Sequence, residues 1–176
     1  SFSPTSPMYY DAVQVNIYAH DNRTGIGEVY VDYYNGTGWN RLPTTDMGTF
    51  YAAVIPAFPY LTTILFEVTV IDNGGLGVTD DNGGLWYYYT VGEDLDPTAT
   101  MDSPDNMTEW EGFALFEVTA DDAGSGIDHV EFLLGALPMG TDYEAPYSCP
   151  LNLNILNLGL HTITAVAYDA AGNTAN

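Results

Sequence analysis

Val13-Gln-Val-Asn-Ile-Tyr-Ala-His-Asp-Asn-Arg-Thr-Gly-Ile-Gly-Glu-Val29 lines up without a gap on Ala114-Leu-Phe-Glu-Val-Thr-Ala-Asp-Asp-Ala-Gly-Ser-Gly-Ile-Asp-His-Val130. Ala19, Asp21, Gly25, Ile26 and Val29 recur as Ala120, Asp122, Gly126, Ile127 and Val130. Each copy opens on alternating apolar residues, Val13, Val15 and Ile17 in the first and Phe116, Val118 and Ala120 in the second, which is the two-residue period of a half-buried strand. An Asp- and Gly-bearing turn follows, and then the next apolar run begins. The interval between the copies is about one small domain, so the chain reads as two modules of an array.

The same alternation runs through Val29, Val31 and Tyr33, through Phe66, Val68 and Val70, and through Ile163, Ala165 and Ala167, while no stretch carries a helical period. Turn clusters punctuate these runs: Asn35-Gly-Thr-Gly, Asp46-Met-Gly, Asn73-Gly-Gly, Asn82-Gly-Gly, Ala123-Gly-Ser-Gly and Ala171-Gly-Asn. The fold class is therefore all-β: two tandem immunoglobulin-like β-sandwiches, the second lacking its last strand within this chain. Strands are expected over 7–10, 12–20, 28–34, 38–43, 50–56, 62–71 and 85–92, then over 98–102, 112–120, 129–134, 138–142, 146–151 and 161–168. The first sandwich spans 1–93, a short acidic linker 94–97, and the second sandwich 98–176. A sandwich without its final strand leaves unpaired backbone groups on an open edge. Either the chain continues past Asn176, or another molecule lends a strand.

Two Lys+Arg stand against 24 Asp+Glu, a formal charge of -22 that repels nucleic-acid phosphates and anionic lipid. Cations, or a cationic partner, are what such a surface gathers. Hydrophobic residues make up 46% of the chain, which places it with folded proteins and not with disordered ones. The single cysteine, Cys149, excludes an internal disulfide and any CxxC motif, and reads as a small buried apolar residue. No apolar run reaches membrane-span length and no signal-peptide pattern opens the chain, so neither membrane insertion nor nucleic-acid binding is expected. Asn22-Arg-Thr, Asn35-Gly-Thr and Asn106-Met-Thr match the N-glycosylation acceptor pattern, making Asn22, Asn35 and Asn106 candidate glycan sites and tilting the expected location to the cell exterior.

The segments Asp122-Ala-Gly-Ser-Gly-Ile-Asp-His-Val-Glu-Phe, Gly140-Thr-Asp, Ala145-Pro-Tyr and Gly159-Leu-His-Thr-Ile-Thr-Ala-Val-Ala-Tyr-Asp-Ala-Ala-Gly-Asn173 resemble the bacterial and archaeal Ig-like domains repeated in surface proteins. The first half is similar to a related fibronectin type III-like or Ig-like module through Tyr30-Val-Asp-Tyr-Tyr, Gly48-Thr-Phe-Tyr-Ala-Ala-Val-Ile-Pro and Glu67-Val-Thr-Val-Ile-Asp-Asn. The resemblance implies fold more than function, because such modules serve in adhesins, surface layers and filaments and as spacers in secreted enzymes.

In this sandwich the loops after the second and sixth strands share the end at which the first strand begins, so the linker is expected to meet them. They carry Asp121, Asp122 and Asp169, with Asn173 close by, and the linker adds Glu93, Asp94 and Asp96. Oxygen ligands in such number without basic neighbours suit Ca²⁺ between the domains, although Asp and Asn also stabilise tight turns by themselves. A weaker set, Asp21, Asp72, Asn73, Asp80 and Asp81, repeats the arrangement at the outer end of the first domain. His20, His129 and His161 are scattered and Ser125 sits in a turn, so no catalytic constellation and no enzyme is expected. The expected function is a structural module of an extracellular array (surface layer, filament or adhesin stalk) whose partners are neighbouring Ig-like modules or subunits. The alternatives are a non-catalytic carbohydrate-binding or spacer module of a secreted enzyme, contacting glycans through Trp39, Trp86 or nearby tyrosines, and a donor-strand filament subunit.

Overall fold

The structure is a computed structural model that describes residues 1–105 and 111–176. Among the described residues the regular structure is β-strand apart from one 3-10 turn at Leu153–Ile155, where the Asn152 side chain accepts the Asn154 N–H. The chain divides into two compact units, Ser1–Glu93 and Asp94–Asn176.

In the first unit the strands are β1 (Phe2–Ser3), β2 (Val13–Ile17), β3 (Ile26–Tyr34), β4 (Trp39–Pro43), β5 (Thr45–Asp46), β6 (Tyr51–Ile55), β7 (Thr63–Asp72), β8 (Gly77–Asp80) and β9 (Tyr87–Thr90). One sheet runs β1-β2-β6-β5; the other runs β4-β3-β7-β8, with β9 also paired to β7. All pairings between these strands are antiparallel. The alternation visible in the sequence becomes the core between the sheets: Val13, Val15 and Ile17 face Val29, Val31, Tyr33, Ile64, Phe66 and Tyr89, all buried. Burying each such side chain contributes about 1.5–3 kcal/mol relative to exposure.

The second unit repeats the plan with β10 (Thr98–Ser103), β11 (Phe113–Asp121), β12 (Ile127–Leu134), β13 (Leu137–Asp142), β14 (Tyr147–Asn152), β15 (Ile163–Asp169) and β16 (Thr174–Ala175). Its sheets are β10-β11-β14 and β13-β12-β15-β16. Phe116, Val118, Val130, Phe132, Tyr147, Ala165 and Ala167 form its core, and Cys149 is buried among them. Burial, and then the charge of Asp142, push the Cys149 thiol up, so it stays a neutral packing residue. Two facing antiparallel sheets, of four and five strands in the first unit and of three and four in the second, make each unit an immunoglobulin-like, fibronectin type III-like β-sandwich.

Four features differ from the expected strands, the simplest being the two-residue strand β5 at Thr45–Asp46, which was not expected and pairs with Ala52 and Tyr51. The opening strand lies at Phe2–Ser3, not at 7–10, because the Phe2 ring packs edge-on against Phe66 at 5.3 Å. Met8 instead makes an isolated parallel bridge to Gly92, so the chain leaves one sheet and touches the other. Strand β8 was not expected: all four of its residues are exposed, so no alternation marks it. The final strand of the second unit, expected to have no counterpart here, is begun by Thr174–Ala175, which pair with Tyr168 and Ala167.

Candidate functional site

The repeated sequence builds one structural device twice. In the first unit Asp21 Oδ2 accepts the N–H groups of Arg23, Thr24 and Gly25 at 3.1, 2.6 and 2.7 Å. In the second, Asp122 Oδ2 accepts those of Gly124 and Gly126 at 3.0 and 2.7 Å. A carboxylate collecting backbone donors closes the turn, and Gly25 and Gly126 follow it at φ 78° and 81°, a region where a Cβ is strained. Ile26 and Ile127 then pack against the cores, while Val29 and Val130 lie within them. The recurring Asp, Gly, Ile and Val positions thus each have a physical reason.

The loop after the sixth strand completes the device. Register puts Ile26 opposite Asp72 and Ile127 opposite Asp169, so these aspartates are counterparts. Asn73 N–H donates to Gly25 O at 3.0 Å, and Ala170 N–H donates to Gly126 O at 2.9 Å. In the first unit the Thr24 hydroxyl lies 3.1 Å from Asp21 Oδ2 and 3.0 Å from Asp72 Oδ2, one proton shared between two carboxylates. Ser125, the counterpart of Thr24, accepts the Ala171 N–H at 3.1 Å instead. Carboxylate oxygens of Asp122 and Asp169 then lie within 4.8 Å of each other. Asp122 Oδ1 is buried and has no hydrogen-bond partner.

Asp169 is 3% exposed. Its Oδ1 accepts the N–H groups of Gly172 and Asn173 at 2.6 and 2.8 Å, and its Oδ2 accepts Asn173 Nδ2 at 2.8 Å. Burial alone would push its carboxyl up, but the hydrogen bonds from Asn173, Gly172 and Ala171 outweigh that and hold it below the usual range. The charge therefore persists at neutral pH beside a second carboxylate. Two like charges at this separation in a partly buried setting repel by roughly 3–4 kcal/mol at an effective dielectric near 20.

Of the other sequence-derived ligands, Asn173 is placed as a donor: its Nδ2 also reaches Leu95 O at 3.0 Å, tying the segment that leads into the second unit to its loops. That carbonyl had no signal in the sequence, because any residue supplies one. Asp94, Asp96 and Asp121 are exposed around this end, and Asp121 O accepts the Thr98 hydroxyl at 3.0 Å. In the first unit Asp80 does not join Asp21 and Asp72. It pairs in register with Val68, away from the turn, and its carboxylate takes Tyr87 Oη–H at 3.0 Å and Asn82 N–H at 3.2 Å.

Asn22 is exposed, with Oδ1 2.6 Å from His20 Nε2. Asn35 closes the β3-β4 hairpin by accepting Thr37 N–H and Oγ1–H at 3.1 and 2.7 Å. Asn106 lies outside the described residues. His129 stacks on Tyr168 at 4.4 Å and pairs with Asp128 at 2.7 Å, while His161 bonds Asn157 O at 2.8 Å. His20, His129 and His161 are thus each held by a neighbouring side chain or carbonyl within four residues, or by a stacked ring. Among the described residues no helix is long and apolar enough to cross a membrane.

A family described as "Bacterial Ig domain" matches residues 97–165, within the second unit. No curated protein matches the chain. Among solved structures, the fibronectin(III)-like modules of CbhA from Clostridium thermocellum align over 99% of this chain and 87% of theirs, at 20% identity and a TM-score of 0.46. A chimeric titin Z1Z2-Z1Z2 tandem aligns over 99% and 94%, at 13% identity and a TM-score of 0.30. Domains of the Ig-like and fibronectin type III-like class are commonly structural or spacer modules and generally non-catalytic.

Proposed function

We propose that the chain is a pair of structural modules from an extracellular array, a surface layer, filament or adhesin stalk, whose second module is rigidified by Ca²⁺. The single observation that carries the ion is the buried, unpartnered Asp122 Oδ1 beside the charged Asp169. An orphaned buried carboxylate oxygen costs several kcal/mol unless a cation or donor meets it. Both donors are hard oxygens on a rigid turn, which fits Ca²⁺, an ion that completes a flexible shell of six to eight oxygens with further carboxylates or water. Asp122 and Asp169 would hold it, with Asn173 positioning Asp169 and with Asp94, Asp96 and Asp121 adding negative potential at the same end. When bound, the ion would supply charge neutralisation, fixing the two loops to each other.

The first unit answers the same electrostatic problem without a metal, through Thr24, so Asp21, Asp72 and Asp80 carry no ion in this reading. The acidic, cation-poor surface and the acceptor asparagines on exposed turns support an exterior location with glycans at Asn22 and Asn35. The partners of such an array are neighbouring Ig-like modules or subunits.

Calorimetric Ca²⁺ titration of the intact chain, paired with thermal melting in EDTA and in millimolar Ca²⁺, tests the ion. Stoichiometric binding with a higher melting temperature of the second unit is expected. Neither heat nor a shift would remove Ca²⁺ from the account and leave only the spacer.

A further inference from the structure

We propose that the outer face of the β4-β3-β7-β9 sheet in the first unit binds a single chain of a neutral saccharide, held by Trp39 and Trp86 above a floor of Arg41, Asp32 and Glu67. This goes beyond the structural role above and rests on a different unit.

Register alone sets two rows of side chains on that face. Tyr34 stands opposite both Trp39 and Leu65, and Leu65 opposite Tyr88, which makes one apolar row across four strands. Asp32 stands opposite both Arg41 and Glu67, which makes a charged row beside it. Solvated sheet faces ordinarily carry polar residues, yet here Trp39 is 49% and Tyr88 67% exposed. Trp39 meets Tyr34 at 5.8 Å and Trp86 at 5.9 Å between ring centroids. A shallow depression between these groups is lined by Asp32, Trp39, Asn40, Arg41 and Glu67.

Trp86 reaches this face by an unusual route. Strands β8 and β9 pair with consecutive parts of β7, with Asp80 opposite Val68 and Tyr87 opposite Phe66, so residues 81–86 bulge out without advancing along the sheet. At the end of that bulge Trp86 has φ 52°, a conformation that a bulky residue adopts only when its surroundings impose it. Its N–H donates to Asp81 O at 2.7 Å and its indole N–H to Glu67 Oε2 at 3.2 Å. The core does not explain the strain, since the residue is 38% exposed. Strain that holds a half-exposed indole beside a second one is the mark of a ligand clamp.

The floor is fixed before any ligand arrives. Arg41 forms a fork with Asp32, Nε to Oδ1 and Nη2 to Oδ2 both at 2.9 Å, and its guanidinium lies 3.6 Å over the Tyr30 ring. A pre-organised set of carboxylates and a guanidinium beside aromatic faces is what a pyranose ring needs: C–H faces stack on indole while hydroxyls bond the polar rim. The guanidinium is already neutralised by Asp32, so nothing here favours an anionic ligand, and Glu67 opposes one. The 54° angle between the two indoles excludes a flat platform, so a single twisted chain fits and a crystalline surface does not.

The test titrates the intact chain with cellohexaose, xylohexaose and mannohexaose, following tryptophan fluorescence and heat. Saturable binding of at least one is expected, weakened by more than about tenfold in Trp39→Ala and in Trp86→Ala and unchanged in Tyr18→Ala, an exposed aromatic elsewhere. Glu67→Gln, a surface change that leaves both indoles and an acceptor for the Trp86 indole N–H, should weaken binding several-fold and so stands if the tryptophan variants misfold. No saturable binding of any of the three sugars, equal binding in Trp39→Ala and Trp86→Ala with melting intact, or retention on microcrystalline cellulose alone would each overturn the proposal.

Discussion

Asp122 and Asp169 bring carboxylate oxygens within 4.8 Å of each other with no hydroxyl between them, whereas their counterparts Asp21 and Asp72 share the proton of Thr24. The same backbone device thus meets the same repulsion in two ways. One unit uses a local donor. The other leaves an oxygen, Asp122 Oδ1, buried without a hydrogen-bond partner.

Asp122→Asn separates these situations. The amide can keep accepting the turn N–H groups through oxygen while its NH₂ faces Asp169, so in EDTA the variant should melt no lower than the parent. In about 2 mM Ca²⁺ the parent should gain about 1–2 kcal/mol, by mass action on a site in the weak extracellular range, and the variant nothing. Differential scanning calorimetry in both conditions reads the difference. Equal Ca²⁺ responses would count against the ion.

Thr24→Val makes the reciprocal change. Removing the shared hydroxyl should cost the first unit about 1–2 kcal/mol, because two carboxylates lose their common donor. Added Ca²⁺ should recover part of that loss. A melting temperature unchanged from the parent in EDTA would show that the bridge contributes nothing.

Acid should act on the second unit through Asp169. Its folded pKa lies below the unfolded value of about 3.9, so the contribution is fully present above that value and is lost as pH falls through the folded pKa. Backbone donors, Gly25 and Thr24 for Asp21 and Ser148 and Glu144 for Asp142, lower those two carboxyls in the same direction. Urea melts at pH 7, 4 and 3 should show a falling midpoint whose steepness drops in Asp169→Asn.

Tyr89 carries a buried hydroxyl without a partner, and burial followed by the nearby Tyr33 raises its phenol well above the usual range. Tyr89→Phe removes an unsatisfied group and keeps the ring beside Phe66, so stability should be unchanged or higher by up to about 1 kcal/mol. A loss of stability on this change would reveal a partner for the hydroxyl.

Gly25→Ala and Gly126→Ala place a Cβ at the same positive φ, at a cost of about 1 kcal/mol each. The first should cost more, because its Cβ would come 3.2 Å from Asn73 Nδ2, while the second meets nothing within 4 Å. Equilibrium unfolding of the two variants gives the ranking.

The sequence by itself determined the strands and their inward faces. Val13, Val15 and Ile17 alternate because a pleated strand has a period of two, and that pattern survives translation into burial without knowledge of any partner. It also determined the paired turns, since Asp followed by Gly at fixed spacing is local chemistry. It was silent on β8, whose exposed residues alternate with nothing, and it misplaced the opening strand because Phe2 finds its contacts on β7. Tertiary structure alone decided the functional differences. Thr24 and Ser125 are similar hydroxyls at equivalent positions, yet one faces two carboxylates and the other a backbone N–H from a loop 46 residues away. Trp39 and Trp86 became neighbours only through register across β3 and β7 and a bulge after β8. Local periodicity encodes which way a side chain points; what it meets there depends on segments brought together by folding, and no reading along the chain contains that distance.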